Sequence, residues 1–341
     1  MHKLGIVGAG AVADLHAQAI ASLPNAQLTG CCDGGSGRAK ALADQYGATA
    51  FTGYQELIES PDVDVVLIAT PSGLHLQPVI LAAAQGKPVL CEKPLEITTD
   101  RIDQMIAAHE RAGTTLGCIF NYRYDEVVGH IRQALSQQRL GKITYAAVRV
   151  PWWRDEAYYA GSWKGTQALD GGGALMNQSI HMVDLLQHLM GPVQSLFAYT
   201  DTLAHDIEVE DTAVVGLRFA NGALGQIYGS TAAYPGQPRQ LDLMGTKGTI
   251  QQVEDSLAVW AFAEARPEDE KFRADFGQAG TSGAADPMAI QYANHARCIA
   301  EFLGSLETGT PFSVNGKEAR KSVEILEAVY RSQAEGRLVR L

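Results

Sequence analysis

The sequence of 341 residues has no CxxC pair and no His/Cys cluster at zinc-ligand spacing. Its five cysteines, Cys31, Cys32, Cys91, Cys118 and Cys298, are odd in number. That argues against a disulfide framework and for reduced, buried thiols in a cytosolic protein. No apolar run approaches the roughly 20 residues that span a bilayer. The first strand pattern starts within a few residues of Met1, which leaves no room for a secretory leader. Positive charge is scarce, with 27 Lys and Arg against 38 Asp and Glu and a net charge of −11. Such a chain lacks the basic face that a nucleic-acid partner needs. A few local cations still suffice for a phosphate or carboxylate. Internal repeats and low-complexity segments are missing as well. These absences describe a cytoplasmic protein with no nucleic-acid partner, no membrane partner and no metal.

What is present is an ordinary globular balance, 46% apolar and 19% charged, at a length that fits two domains. Residues 3–7 pattern as a short buried strand. Gly8-Ala9-Gly10-Ala11-Val12-Ala13 follows, and then an apolar-periodic helix runs to about Leu23. In this GxGxxA turn the first glycine permits the tight bend, Gly10 admits a pyrophosphate to the backbone, and Ala13 allows close helix packing. The helix start, with Ala11 and Val12, offers unpaired N–H groups to phosphate. A second strand at 27–32 ends on Asp33, 23 residues after Gly10. A carboxylate at that distance bonds ribose hydroxyls and repels a 2′-phosphate, which favours NAD over NADP. Arg38 weighs the other way, because it offers a phosphate partner.

The alternation continues with a helix at 54–59, a buried strand at 63–69, a loop at Thr70-Pro71-Ser72-Gly73 and a helix from His75 to Gln85. A strand at 88–91, a helix at 100–112 and a strand at 115–120 complete it. Strands alternating with helices predict an α/β doubly wound parallel sheet, which binds ligands beyond the carboxyl ends of its strands. Asp33, Thr70-Pro71 and Glu92-Lys93-Pro94 all fall at such ends.

After Phe120 the pattern changes. A helix at 127–136 and a strand at 143–150 lead to an aromatic-rich stretch at 151–169. Gly171-Gly172-Gly173 then opens a helix to about Met190. Strand patterns follow at 193–202, 212–219, 223–231, 240–244, 248–252 and 257–263, with Asn221-Gly222 as a hairpin signal. This predicts an α+β domain built on a mostly antiparallel sheet. Residues 264–286 read as a polar surface loop. Helices at 292–304 and 317–333 flank an extended stretch at 311–314.

Several segments carry a resemblance: GAGAVADLHA from Gly8, TPSGLH from Thr70, GKPVLCEKPL from Gly86, NYRY from Asn121 and GGGALMNQSIHMVDLL from Gly171. PFSVNGKEA and SQAEGRLV near the end add to them. Over nearly its whole length the chain resembles the Gfo/Idh/MocA family of glucose–fructose oxidoreductase, inositol 2-dehydrogenase and rhizopine-catabolism dehydrogenase. The resemblance implies a Rossmann domain over 1–121. It implies a substrate-binding and oligomerisation domain over 122–341 with a large open-faced sheet, its last helix packing back on the Rossmann domain. It further implies hydride transfer between NAD or NADP and a sugar or cyclic polyol, in a homodimer or homotetramer.

By the same resemblance Lys93 is the catalytic lysine of the EKP motif, and His181 the catalytic histidine of the glycine-run helix. A cis peptide before Pro94 is implied too. Asn177 stands where the family often has Asp. An amide exchanges no proton, so Asn177 is read as a group that orients the hydroxyl. Asn177, His181, Asp184 and His188 share an i, i+4, i+7, i+11 spacing, which places them on one face of an α-helix. An imidazole suits proton exchange near neutrality, but the sequence leaves open whether Lys93 or His181 takes the proton. Expected cofactor contacts are Gly8, Gly10, Ala11, Val12, Asp33, Arg38, Thr70, Pro71, His75, Glu92 and Lys93. Trp163 and Lys164 join them from the loop that, in the family, reaches over the cofactor. Expected substrate contacts are Lys93, Arg123, Arg154, Tyr158, Asn177 and His181. Asp184, His188 and His16 are read as structural. The Trp152-Trp153-Arg154 and Tyr158-Tyr159 stretch, with GGGALMNQ, is most like the branch acting on nucleotide-linked N-acetylated uronic sugars. The alternatives are a cofactor-binding regulator without turnover, favoured only by Asn177, and an NAD-retaining hydrolase, whose further motifs the sequence lacks.

Overall fold

The computed structural model describes residues 1–277 and 292–341. The chain divides into two compact units. The first comprises Met1–Asn121, Ala168–Gly171 and Gln291–Val323, and the second Tyr122–Gln167, Gly172–Ile290 and Glu324–Leu341.

In the first unit β1 (His2–Val7), α1 (Ala11–Ala21), β2 (Ala26–Cys32), α2 (Arg38–Tyr46), β3 (Thr49–Phe51) and α3 (Tyr54–Glu59) come first. β4 (Val65–Ile68), α4 (Leu76–Ala84), β5 (Val89–Cys91), α5 (Thr99–Ala112) and β6 (Leu116–Cys118) follow. The strands pair in parallel in the order β3-β2-β1-β4-β5-β6. β4 is Val-Val-Leu-Ile and wholly buried, as a strand between two helix layers must be. The order reverses at β1, so the carboxyl ends of β1 and β4 flank the switch point where such sheets bind ligands. The short edge strand β3 has no visible alternation, because three residues are too few to show a period of two. The extended stretch at 311–314 lies beside β6, where the Cys118 N–H donates to the Val314 carbonyl at 2.9 Å.

The second unit is built on α6 (Glu126–Ser136), β7 (Ile143–Pro151), α7 (Glu156–Tyr159) and α9 (Ile180–Met190), whereas α8 (Gln167–Asp170) falls almost wholly in the first. β8 (Val193–Asp201), β9 (Thr212–Phe219), β10 (Leu224–Ser230), β11 (Gln240–Gly245), β12 (Gly248–Val253), β13 (Ser256–Phe262) and α10 (Pro267–Phe276) follow. The chain closes with α11 (Ala293–Thr308), α12 (Gly316–Glu335) and β14 (Val339–Arg340). The eight strands run β13-β12-β11-β7-β10-β9-β8-β14, antiparallel except between β7 and β10. Ala213, Val215, Leu217 and Phe219 of β9 are buried on one face, which carries α9. Val214 of β9, Tyr199 of β8, Leu224 of β10 and Met244 of β11 stand exposed on the other. Asn221-Gly222 makes the expected hairpin, with Gly222 at φ +88°.

Two expectations are corrected. Residues 267–276, read as loop, form α10, because Pro267 opens a helix and the Asp269 carboxylate accepts from the Arg266 N–H at 2.7 Å. Residues 278–286 of that expected loop lie outside the described residues. The glycine run does not open an α-helix directly. Ala174–Ser179 form a π-helical turn, and α9 begins only at Ile180. The α-helical spacing drawn from Asn177 to His181 therefore does not hold across that junction.

Candidate active site

In the first unit the carboxyl ends of four neighbouring strands carry the expected residues. Gly8 follows β1 at φ +101°, and a Cβ there would lie 2.6 Å from the Ala69 carbonyl. Only glycine fits. Gly10 has the opposite surroundings, with nothing within 4 Å of a Cβ position. It is exposed and caps the start of α1 without a side-chain bond. A turn closed on its inner side and open above the helix N-terminus fits a dinucleotide pyrophosphate.

Asp33 follows β2. Its carboxylate accepts from the Gly35 N–H at 2.7 Å, the Ser36 hydroxyl at 2.7 Å and the Ala39 N–H at 2.9 Å. The Ala39 and Ser36 bonds hold its pKa down at about 2. The carboxylate is thus charged, half-exposed and fixed at the end of β2, where the ribose of a dinucleotide belongs. Arg38 opens α2 and is exposed. Thr70 and Pro71 follow β4 and are half-buried. Glu92 and Lys93 follow β5, with a cis peptide between Lys93 and Pro94. Lys93 is half-buried.

The sequence places His75 among the cofactor contacts, whereas its side chain is 0% exposed. Its Nε2 faces the Thr70 carbonyl at 3.0 Å, and Nδ1 faces those of Pro94 and Leu95 at 3.1 and 3.2 Å. The ring joins two loops and presents no free edge to a ligand. Glu92 is buried too, and its Oε1 accepts from His16 Nε2 at 2.8 Å. Burial pushes its carboxyl up, but the His16 bond and the charges of His16, His295 and Lys93 outweigh that and hold it below the usual carboxylate range. His16, read as structural, is therefore the anchor of the EKP loop. Nothing in the sequence pairs these two residues, which lie 76 positions apart.

In the second unit a polar wall gathers around the π turn. Gly172 and Gly173 have no room for a side chain: a Cβ on the first would overlap the Tyr330 hydroxyl, and one on the second the Glu210 carbonyl. The buried Glu210 carboxylate accepts from the N–H groups of Gly173 and Leu175 at 2.9 and 2.8 Å. The turn so fixed presents half-buried Asn177, and the first turn of α9 presents half-buried His181. The imidazole packs on the Tyr122 ring at 4.7 Å between centroids. Tyr122 is backed by the Arg239 guanidinium 3.7 Å from its ring.

Gln178, which the sequence does not single out, joins the expected substrate residues. It bonds Asn177 at 2.6 Å, the Tyr158 hydroxyl at 2.7 Å and Arg154 Nη2 at 2.9 Å. Lys164 Nζ lies 3.7 Å above the Tyr158 ring, and Trp163 beside it is half-buried. Arg154 is buried, and that burial lowers its pKa. Arg123 departs from its expected place. Its Nε and Nη2 hold both oxygens of buried Asp184 at 2.7 and 2.6 Å, so its fork is turned into α9. Asp184 is structural in that sense, as the anchor of this arginine. His188 is half-buried in the last turn of α9. Among the described residues no group of three or more His, Cys, Asp or Glu is arranged to hold a metal.

Known proteins match both units. Residues 2–120 match the model of an oxidoreductase family with an NAD-binding Rossmann fold, and residues 128–251 the GFO/IDH/MocA C-terminal domain. The WlbA dehydrogenase from Bordetella pertussis, solved with NADH and UDP-GlcNAcA, superposes with a TM-score of 0.91. It is 32% identical, over 100% of this chain and 97% of that one. The chain belongs to the Gfo/Idh/MocA family of oxidoreductases. Within that family the myo-inositol 2-dehydrogenase of Thermotoga maritima is 28% identical over 352 residues, 99% of this chain and 98% of its own. An uncharacterized oxidoreductase of Bacillus subtilis is 31% identical over 256 residues, 72% of each chain. The chain is accordingly an oxidoreductase with an NAD-binding Rossmann fold, and its glycine turn and strand order agree with that. Relatives named for their activity include two inositol 2-dehydrogenases and a levoglucosan dehydrogenase.

Proposed function

We propose that the enzyme transfers a hydride between NAD and a secondary hydroxyl of an anionic sugar derivative, with a nucleotide-linked uronic sugar as the first candidate. The observation that carries this reading is the polar wall of the second unit. Residues 154–181 bring together an imidazole, an amide and a phenol with the cation Arg154 among them. Hydroxyls are met by such donors and acceptors, and a carboxylate or phosphate by such cations. The relative bound to UDP-GlcNAcA supports the nucleotide-linked class.

The nicotinamide, when bound, supplies the hydride acceptor. The Gly8–Val12 turn then takes the pyrophosphate, and Asp33 takes the ribose hydroxyls and excludes a 2′-phosphate. Thr70, Pro71, Trp163 and Lys164 complete the cofactor contacts, while Glu92 acts from within the loop. Lys93 holds the reacting oxygen, and His181 exchanges the hydroxyl proton while Tyr122 fixes its ring plane. Asn177, held by Gln178, orients the hydroxyl. Arg154 and Tyr158 set the sugar end. Arg123 acts through Asp184 as a support of α9. The exposed sheet face joins copies of the chain into a dimer or tetramer.

The test is reduced-cofactor formation from NAD and NADP with UDP-GlcNAcA, free uronates, neutral sugars and inositols. Turnover with the first, lost in Lys93→Ala and His181→Ala at unchanged NADH affinity, is expected. Full turnover in either variant removes its assigned role. Silence across the panel despite NADH binding favours the non-catalytic regulator.

A further inference from the structure

The loop after β5 is fixed at five successive residues by groups drawn from across the first unit. Glu92 Oε1 accepts from His16 Nε2 at 2.8 Å, and Glu92 Oε2 from the Lys93 N–H at 3.0 Å. The carbonyls of Pro94 and Leu95 face His75 Nδ1, whose ring also reaches the Thr70 carbonyl through Nε2. Glu96, fully buried, pairs with Arg101 at 2.6 Å, and Arg101 donates to the Gly73 carbonyl at 2.9 Å. His16 and His75 are both 0% exposed. A buried apolar side chain fills such a place without the desolvation that a polar ring suffers, so packing alone does not call for these imidazoles.

We propose that His16 and His75 are positioning residues that hold the loop on either side of Lys93, so that its amine is presented in one direction. His16 acts through the Glu92 carboxylate on the Lys93 N–H. His75 lies between the next two carbonyls and that of Thr70, and its single ring N–H donates to one side. The proposal rests on the reading of Lys93 as the group that holds the reacting oxygen. The physical stake is the flexible four-carbon stem of lysine: displacing a catalytic group by about 1 Å costs on the order of 10²-fold in rate. The charged groups facing Glu92 are His16 from α1, His295 beyond it on α11, and Lys93. Those facing His75 are Glu92 and Glu96. Glu92 must be ionised to accept both of its bonds. Without the His16 donor its burial is less well opposed, so it takes a proton at higher pH and the acid limb of the rate profile moves up.

The experiment compares His16→Leu, His75→Leu and His16→Gln with the wild-type enzyme. It reads kcat against pH with UDP-GlcNAcA and NAD, NADH affinity by fluorescence, and the carbon-13 signal of reductively methylated Lys93 in the ligand-free protein. The leucine variants are expected to lose roughly 10- to 100-fold in kcat at nearly unchanged NADH affinity. Their Lys93 signal is expected to broaden or split. The acid limb should rise in His16→Leu, and His16→Gln, which keeps a donor for Glu92, should recover most of the loss. Wild-type kcat, pH profile and Lys93 signal in both leucine variants overturn the proposal. If His16→Leu fails to fold, His16→Leu with Glu92→Gln removes the stranded charge. Turnover in that double variant equal to that of His16→Gln overturns the proposal too. Full turnover in Lys93→Ala instead overturns the reading of Lys93 itself, whatever the histidines do.

Discussion

Asp33 shows how a single carboxylate serves two masters. Three donors of its own loop hold it, and the same bonds keep it ionised down to a pH of about 2. In the proposed cofactor role its charge opposes a 2′-phosphate at any working pH. Asp33→Asn keeps an oxygen for the loop but removes the charge, with Arg38 left nearby. The ratio of NADP to NAD efficiency should rise about tenfold or more, the equivalent of ~1.4 kcal/mol, measured as kcat/KM for each cofactor. An unchanged ratio would detach cofactor choice from this residue. The thiols make a second prediction. All five cysteines are buried, and burial pushes Cys31 and Cys32 up to about 11 and 12. The native protein at pH 8 should show no fast reaction with a thiol reagent, and five equivalents after denaturation. At this scale the sequence is legible where chemistry is local. Gly8, Gly10 and Asp33 are readable because one turn contains them all. The His16–Glu92 and Arg123–Asp184 pairs are not, since the fold alone brings residues 76 and 61 positions apart together.

Elements were legible wherever apolar period and length agreed, as in β4 or α5, and least legible where a distant backbone dictates the local one. The glycine run is the clearest case. Its composition suggests a helix start, but Gly173 is glycine because the Glu210 carbonyl occupies the place of its Cβ. The same segment's buried carboxylate then holds the π turn, and π turns cluster at functional sites. Gly173→Ala should therefore destabilise by about 3 kcal/mol, at the upper end for overpacking a filled interior, and should displace Asn177 and His181 as well. Gly216 in β9 is the internal control, with nothing within 4 Å of a Cβ and no left-handed φ. Gly216→Ala should be neutral or slightly stabilising, because glycine weakens a strand interior by roughly 0.5–1 kcal/mol relative to alanine. Thermal midpoints measure both. Equal effects at the two positions would show that the turn tolerates what its geometry forbids.

For the molecule as a whole, the eight-stranded sheet poses a problem of surface. One face is buried, but Tyr199, Val214 and Leu224 on the other are 68%, 43% and 51% exposed and lie on neighbouring strands. Tyr199 lies beside Val214, whereas Leu224 stands further along the sheet opposite Arg218; exposed apolar side chains gathered on one face mark an interaction surface. Polar groups flank these residues. Asp242 stands on the same face, 7% exposed and held by Gln240 and Gln251 at 2.9 and 2.8 Å, while Arg149 of the adjacent strand is exposed. A two-fold interface would set this face against its own copy. The net charge of −11 works against association, and salt screens it over about 10 Å at 0.1 M. Sedimentation should accordingly find a dimer or tetramer that tightens between low and moderate salt. Val214→Asp with Leu224→Glu should dissociate it into monomers that still bind NADH. A wild-type monomer across that salt range would mean that the exposed face meets some other partner. An intact assembly of the double variant would place the interface on a different surface.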